Sequence, residues 1–206
     1  MRITVPNIPK PLVYVVGFVP AALLTWQVFS GRAGADPVAY FEHELGQWAL
    51  RLLIATLCIT PLRQIFSINL LRYRRALGLL AFYYVLMHLT VWLVLDRGLD
   101  LHAVILDILR RPYITIGMLA LVLLTPLAIT SNNWSIRRMG GKGWNKLHKL
   151  VYPAIALGAI HFIMVKKVWL AEPMIYAGIV ALLLAWRAWK RFSGGDKPKA
   201  RKVAVA

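Results

Sequence analysis

The sequence predicts an all-α membrane protein, a six-transmembrane-helix bundle with both termini in the cytoplasm. Three observations predict it: an apolar composition, the length of the apolar segments and the placing of basic residues between them. Of the 206 residues, 59% are hydrophobic and 16% are charged, whereas soluble domains are nearer half apolar and a quarter charged. This excess of apolar side chains indicates a chain whose main solvent is lipid.

Six apolar segments approach the length of a membrane-crossing helix, which needs about 20 residues to cross a core about 30 Å thick. The first is not a signal peptide, because no small-residue cleavage site follows it. We take residues 1–192 as one membrane domain and the basic, polar residues 193–206 as a disordered tail. The predicted spans are residues 11–29, 45–62, 76–95, 113–129, 147–165 and 173–189.

The basic residues between the spans predict the orientation of the bundle. The net charge of +17 is typical of proteins that meet nucleic acid or a membrane surface. Here the basic residues lie between apolar runs and form no single patch, which favours lipid and argues against nucleic acid. Of the 25 Lys and Arg residues, 18 lie on one side and 6 on the other, with Arg51 inside the second span. By the positive-inside rule, the richer side, which holds both termini, faces the cytoplasm.

Two smaller features are a short helical pattern in the third connection and a single cysteine. Apolar residues between Asp100 and Arg110 follow helical spacing, with Asp100 placed to cap the helix and Pro112 to end it. We interpret this segment as an amphipathic helix at the outer interface. The single cysteine, Cys58, lies in an apolar run and excludes a disulfide framework or a thiolate metal cluster.

Two histidines lie at equal depth on different spans. His88 comes 13 residues after Arg75, and His161 comes 12 residues after Lys149. At 1.5 Å per residue, both lie ~18–20 Å from the cytoplasmic edge. Ionisable groups inside a span are functional-site hypotheses by default, and two imidazoles at one depth are what bis-histidine ligation of a haem iron requires. The alternative is that each ring only hydrogen-bonds across helices.

The remaining histidines give weaker signals. His148 precedes His161 by 13 residues, and on a straight helix 100° per residue places the two on different faces. No histidine on the third span matches the depth of His148, so a second haem stays open beside a simple interfacial role. His43 and His102 are expected in outer loops, in contact with solvent.

Three arginines are candidate cofactor contacts, each with alternatives. Arg74 and Arg75 either set the topology or neutralise haem propionates or a flavin phosphate through charge-assisted hydrogen bonds. Arg51 either snorkels outwards, pairs with Glu44 or holds a propionate of the outer haem.

Several motifs together resemble a known domain, and the similarity covers essentially the whole chain. The third span and the region from the fourth loop to the fifth span carry most of the resemblance. They resemble the ferric-reductase-like transmembrane domain and, within it, the YedZ/MsrQ family of haem-binding membrane subunits of the bacterial methionine-sulfoxide reductase system. The motifs are Trp48-Ala-Leu, Thr60-Pro-Leu-Arg63, Arg74-Arg75-Ala-Leu-Gly-Leu through Phe82 and Tyr84 to His88, Thr130-Ser131, Trp134, Arg137-Arg138, Gly143-Trp144, Leu147-His148-Lys-Leu-Val-Tyr152 and His161.

The resemblance implies a b-type cytochrome of the bacterial inner membrane, with haem b (one or two) and FMN as cofactors. It implies electron transfer from the quinol pool or a cytoplasmic flavin reductase to a periplasmic molybdopterin enzyme that reduces methionine sulfoxide in oxidised proteins. His88 and His161 match the positions expected to ligate one haem, and His148 matches a position linked to a second, inner haem. The wider superfamily has two histidines on the third helix, whereas this chain has only His88 there.

The resulting hypothesis is transmembrane electron transfer, with no substrate-converting site on this chain. Three alternatives stay open at this point. They are a metalloreductase that acts on ferric iron at the outer face, a small transporter with a histidine proton relay, and a cofactor-free assembly subunit.

Overall fold

The structure is a computed structural model that describes residues 7–165 and 170–193. Within these residues every regular element is helical, and six segments are long and apolar enough to cross a membrane. The chain is therefore a multi-pass membrane protein, and the predicted fold class is confirmed. The tail 194–206 and the basic residues Arg2, Lys166 and Lys167 lie outside the described residues.

Residues 7–165 and 170–193 contain eight α-helices. The predicted spans correspond to α1, α2, α3, α5, α7 and α8, while α4 and α6 lie in the connections between them. A 3-10 turn (Leu71–Tyr73) precedes α3, a π-helical turn (Val91–Asp96) extends it, and a second 3-10 turn (His148–Leu150) joins α6 to α7. The helices are α1 Lys10–Phe29, α2 Pro37–Ile65, α3 Arg74–Thr90, α4 Leu101–Arg110, α5 Pro112–Ile129, α6 Asn133–Leu147, α7 Val151–Val165 and α8 Ala171–Phe192.

Helix α2 is much longer than the predicted span 45–62. Asp36 caps its start by accepting a hydrogen bond from the backbone N–H of Ala39 (3.0 Å), and Pro37 occupies the first turn. Its 29 residues reach about 44 Å, well beyond the ~30 Å of a bilayer core. His43 therefore lies on a helix, and its predicted placing in a loop is wrong.

The predicted helix after Asp100 is confirmed as α4. The Asp100 carboxylate accepts hydrogen bonds from the backbone N–H groups of His102 (2.9 Å) and Ala103 (3.1 Å). Val104 packs inwards, whereas Leu101 and Leu109 are exposed. One buried face and one exposed apolar face are typical of a helix at a lipid interface.

Pro61, inside α2, leaves one backbone carbonyl of the helix without its usual hydrogen bond. Pro61 has no N–H, so the carbonyl of Leu57 loses its helical partner. Arg187 of α8 donates to this carbonyl through Nη2 at 2.7 Å and contacts the Tyr152 hydroxyl at 3.1 Å. A carbonyl without a partner is costly in a membrane, so this contact stabilises the packing of α8 against α2.

The loops separate into two ends of the bundle. At the end we call basic, the backbone N–H of Ile8 donates to the Tyr73 hydroxyl (2.9 Å), and Arg75 donates to Asn133 (2.7 Å). At the opposite, acidic end, ion pairs join Asp107 to Arg97 (2.9 Å) and to Arg111 (3.1 Å). This grouping is the one expected from the charge distribution, and the cytoplasmic orientation of the basic end stays a prediction.

Candidate functional site

The described helices enclose an acidic-end cavity and a basic-end cavity. The acidic-end cavity has a volume of about 440 Å³ and is lined from α2, α3, α5 and α7, with His88 and His161 among its walls. The basic-end cavity has a volume of about 490 Å³ and includes Arg74, Arg75 and His148 in its lining. Leu53 and Leu124 line both cavities. A layer only one side chain thick therefore separates the two.

The structure brings the rings of His88 and His161 close together in the lining of the acidic-end cavity. Their ring centres are 6.2 Å apart, and the ring planes are inclined at 79°. The two rings come from α3 and α7, as the equal depths of these residues along their spans predict. The pair forms the centre of the candidate site.

Contacts with backbone carbonyls determine that Nδ1 of each ring carries a hydrogen. His88 Nδ1 lies 2.8 Å from the carbonyl oxygen of Glu42, and His161 Nδ1 lies 2.7 Å from that of Tyr113. Because a carbonyl oxygen can only accept, Nδ1 of each ring must carry the hydrogen and donate. In its neutral form, each ring then keeps a lone pair on Nε2, the arrangement that metal-binding histidines require.

The site fits a metal that is held by only two protein ligands. A metal–imidazole bond is about 2.0 Å long and a ring nitrogen lies about 1.1 Å from the ring centre, so rings on opposite sides of one metal have centres about 6.2 Å apart. Among residues 7–165 and 170–193, no group of three or more His, Cys, Asp or Glu side chains could hold a metal ion. A porphyrin supplies four equatorial ligands of its own, so the donor set fits haem iron.

The walls of the cavity also suit a flat apolar group. A Cβ added at Gly158, which lines the cavity, would meet no atom within 4 Å. Leu50, Leu53 and Phe162 supply apolar wall, as a porphyrin face requires. The residues present therefore fit a haem.

A polar rim at the acidic end was not predicted. His43 Nε2 lies 2.9 Å from Gln47 Nε2, and both side chains line the cavity together with Arg97 and Arg111. The sequence signal that could have predicted it is Asp36-Pro37, a typical helix start that would extend α2 beyond the apolar run. On such a helix, His43 and Gln47 lie four residues apart and share one face.

Arg51 lies outside the lining of the acidic-end cavity. It donates to the Tyr176 hydroxyl at 2.7 Å and to the Gln47 side-chain oxygen at 2.5 Å, with Glu44 at 3.9 Å. Of the three roles considered for Arg51, the contacts favour pairing with Glu44 and its neighbours over holding a propionate. The ion pair is long and partly exposed, so it contributes little on its own.

The basic-end cavity gathers the other predicted residues. Arg74 and Arg75 both line it, and the His148 ring stacks on Trp144 with centres 3.7 Å apart. His148 Nε2 also lies 3.2 Å from the Thr130 hydroxyl. Among the described residues, His148 is the one histidine in this lining, so the cavity offers no second imidazole for a bis-histidine haem.

The backbone explains how His148 reaches this cavity. The straight-helix assumption is wrong, because His148 begins a 3-10 turn that precedes α7. A 3-10 turn rotates the chain by about 120° per residue, against 100° in an α-helix. The direction of the His148 side chain around the helix axis therefore differs from the direction that a continuous α-helix predicts.

Comparison with known proteins shows which family the chain resembles. The family model described as "Ferric reductase like transmembrane component" matches residues 45–159. A protein of Brucella anthropi named protein-methionine-sulfoxide reductase heme-binding subunit MsrQ is 61% identical over 190 residues, which cover 92% of this chain and 86% of that protein. Proteins of the same name from Brucella ovis and Brucella canis are each 60% identical, with the same coverage.

The chain belongs to the MsrQ family. The resemblance found in the sequence motifs is thereby confirmed. The matched family region runs from α2 into α7 and includes His88 and His148, and it ends two residues before His161.

Proposed function

We propose that the chain is a b-type cytochrome that binds one haem between His88 and His161 and carries electrons across the bacterial inner membrane. The donor is the quinol pool or a cytoplasmic flavin reductase. The acceptor is a periplasmic molybdopterin enzyme that reduces methionine sulfoxide in oxidised proteins. The observation that carries the proposal is the pair of facing imidazoles, 6.2 Å apart, each with its Nδ1 held by a backbone carbonyl.

The names of the relatives support this proposal independently. Each is called a heme-binding subunit of protein-methionine-sulfoxide reductase. A haem electron-transfer role is therefore supported, and the same name supports a partner subunit within a methionine-sulfoxide reductase.

The chain's own residues bind and insulate the cofactor. His88 and His161 would hold the haem iron through ring nitrogens, and the apolar walls would keep water away from the cofactor. When bound, the haem supplies the one-electron chemistry, while ligand identity and surroundings set its potential. Arg97 and Arg111 line the cavity at its acidic end, which faces the outer side in the proposed orientation.

The basic-end cavity is the proposed receiving site for electrons. Trp144 and Tyr152 offer aromatic surface for a flat ring, and Arg74, Arg75 and Lys149 supply positive charge that suits a phosphate. This chemistry supports FMN, bound or delivered by a flavin reductase, more directly than an uncharged quinol head group. With a single imidazole in its lining, the cavity does not fit a second bis-histidine haem.

Electron transfer across a sealed membrane tests the proposal. The chain is reconstituted in lipid vesicles that hold ferricyanide, and dithionite, which does not cross the bilayer, is added outside. We expect loss of ferricyanide colour well above the rate in empty vesicles, and a return to that rate with His88→Ala. Ferricyanide loss equal to that in empty vesicles would contradict electron conduction by this chain.

A further inference from the structure

We propose that Gly46 and Gly117 are positioning residues that fix the ring planes of His88 and His161. This inference rests on the proposed function, in which these two rings are the axial ligands of one haem. It concerns residues that touch the ligands and not the metal itself.

The two histidines are held in the same way by two different helices. His88 packs on Gly46 of α2 and donates to the carbonyl of Glu42, four residues earlier on that helix. His161 packs on Gly117 of α5 and donates to the carbonyl of Tyr113, again four residues earlier. The same relation, a glycine four residues after the accepting carbonyl, thus occurs once on each side of the cavity.

Helix geometry explains why a glycine is needed at this spacing. Each Cα–Cβ bond of a helix tilts towards the N-terminus, so a side chain covers the turn that precedes it. The Cβ of residue i+4 therefore lies over the carbonyl of residue i. That carbonyl already accepts the helical N–H of residue i+4 and has one lone pair left. A glycine at i+4 leaves the space through which an imidazole reaches this lone pair from a neighbouring helix.

The contact distances predict unequal effects at the two positions. A Cβ at residue 46 would lie 3.2 Å from His88 Nδ1 and 3.4 Å from its Cε1. A Cβ at residue 117 would lie 2.9 Å from His161 Nδ1 and 3.0 Å from its Cε1. The first contact is tight and the second is a clash, so alanine at residue 117 must displace its ring further.

The consequence of this positioning is the crossed arrangement of the two rings. Their planes are 79° apart in the structure, and a ring anchored at both Nδ1 and its metal-binding nitrogen cannot rotate freely. In low-spin ferric haem, nearly perpendicular imidazole planes give a strongly anisotropic electron paramagnetic resonance signal, whereas near-parallel planes give a rhombic one. Axial ligation is also one of the levers on haem potential.

The test compares Gly46→Ala, Gly117→Ala and the matched control Gly178→Ala in detergent-purified protein. Gly178 lies on the exposed face of α8, where a Cβ would meet no atom within 4 Å, and it lines neither cavity. Haem content, the resonance spectrum of the oxidised protein and the midpoint potential are measured for each. Size-exclusion elution and helical circular dichroism report whether each variant is assembled.

We expect a strongly anisotropic signal from the wild type and from Gly178→Ala. We expect the largest g-value to fall and the midpoint potential to shift in Gly46→Ala, with a larger change or loss of haem in Gly117→Ala. If Gly117→Ala does not assemble, the inference is tested by the resonance spectra of the wild type and of Gly46→Ala, whose added Cβ makes the less severe contact.

Two results would overturn the inference while leaving the proposed function intact. One is a rhombic wild-type signal from a bis-histidine haem. The other is spectra and potentials in both glycine variants that equal those of Gly178→Ala. A wild-type protein without a bis-histidine haem would instead refute the proposed function on which the inference rests.

Discussion

Replacing either His88 or His161 with alanine is expected to abolish the low-spin b-type absorbance of the purified protein. Each variant removes one of the two imidazoles whose ring centres lie 6.2 Å apart in the lining of the acidic-end cavity. The measurement is the dithionite-reduced minus oxidised spectrum of each variant, normalised to protein.

Two other histidines provide matched controls. His102 is exposed on α4, and His148 lines the other cavity. We expect His102→Ala and His148→Ala to keep the haem content and the low-spin bands of the wild type. Unchanged bis-histidine spectra in both His88→Ala and His161→Ala would refute the ligand assignment.

Replacing Tyr84 with alanine is expected to cost about 3–5 kcal/mol of stability, the range for removing a buried aromatic side chain. Tyr84 is fully buried, and its ring stacks on Phe18 with centres 6.3 Å apart. Its hydroxyl accepts a hydrogen bond from the N–H of Ala21 (3.0 Å) and donates one to the carbonyl of Gly17 (2.8 Å). The hydroxyl thus inserts into the hydrogen-bond ladder of α1 beside Pro20, so its loss leaves two backbone groups without this bridge.

The hydroxyl can be separated from the ring by Tyr84→Phe, which we expect to cost about 1–2 kcal/mol. The control is Tyr83→Phe, because Tyr83 is its exposed neighbour on α3. Free energies of unfolding are measured by titrating detergent-solubilised protein with sodium dodecyl sulfate while following helical circular dichroism. A Tyr84→Phe variant as stable as Tyr83→Phe would show that the inserted hydroxyl adds no stability.

The parts of the fold that depend on apolar run length and on local capping could be predicted from the sequence. All six spans have structural counterparts, and Asp100 begins α4 as expected. Equal spacing from the basic loops also predicted that His88 and His161 would meet, because rise per residue along a helix is nearly constant.

Other features depend on information that residue patterns do not carry. His43 was misplaced because Glu42, His43 and Glu44 interrupt the apolar run before Leu45, whereas the helix continues through them to the Asp36 cap. The facing of His148 depends on a 3-10 turn, which breaks the periodicity used to predict it. The fourth connection contains α6, bent at Gly140 where φ is 70°, although its basic sequence lacks a long apolar stripe.

The carbonyl acceptors of the two histidines were also beyond prediction. Glu42 and Tyr113 contribute backbone carbonyl oxygens. Every residue has such an oxygen, so the residue type does not indicate which one accepts. Gly46 and Gly117 do stand in the sequence, but a glycine in an apolar run predicts no particular contact. The contact of each glycine with an imidazole depends on the packing of the neighbouring helix, which the structure shows.

The most direct test of the central claim is a reduced-minus-oxidised spectrum of the wild-type protein, with haem quantified as its pyridine haemochrome. The protein is purified in detergent from haem-sufficient cells. The facing imidazoles of His88 and His161 predict low-spin b-type bands and one haem per chain. A colourless protein would contradict the electron-conduit function and favour a transporter or assembly role, and two haems per chain would contradict the assignment of a single haem.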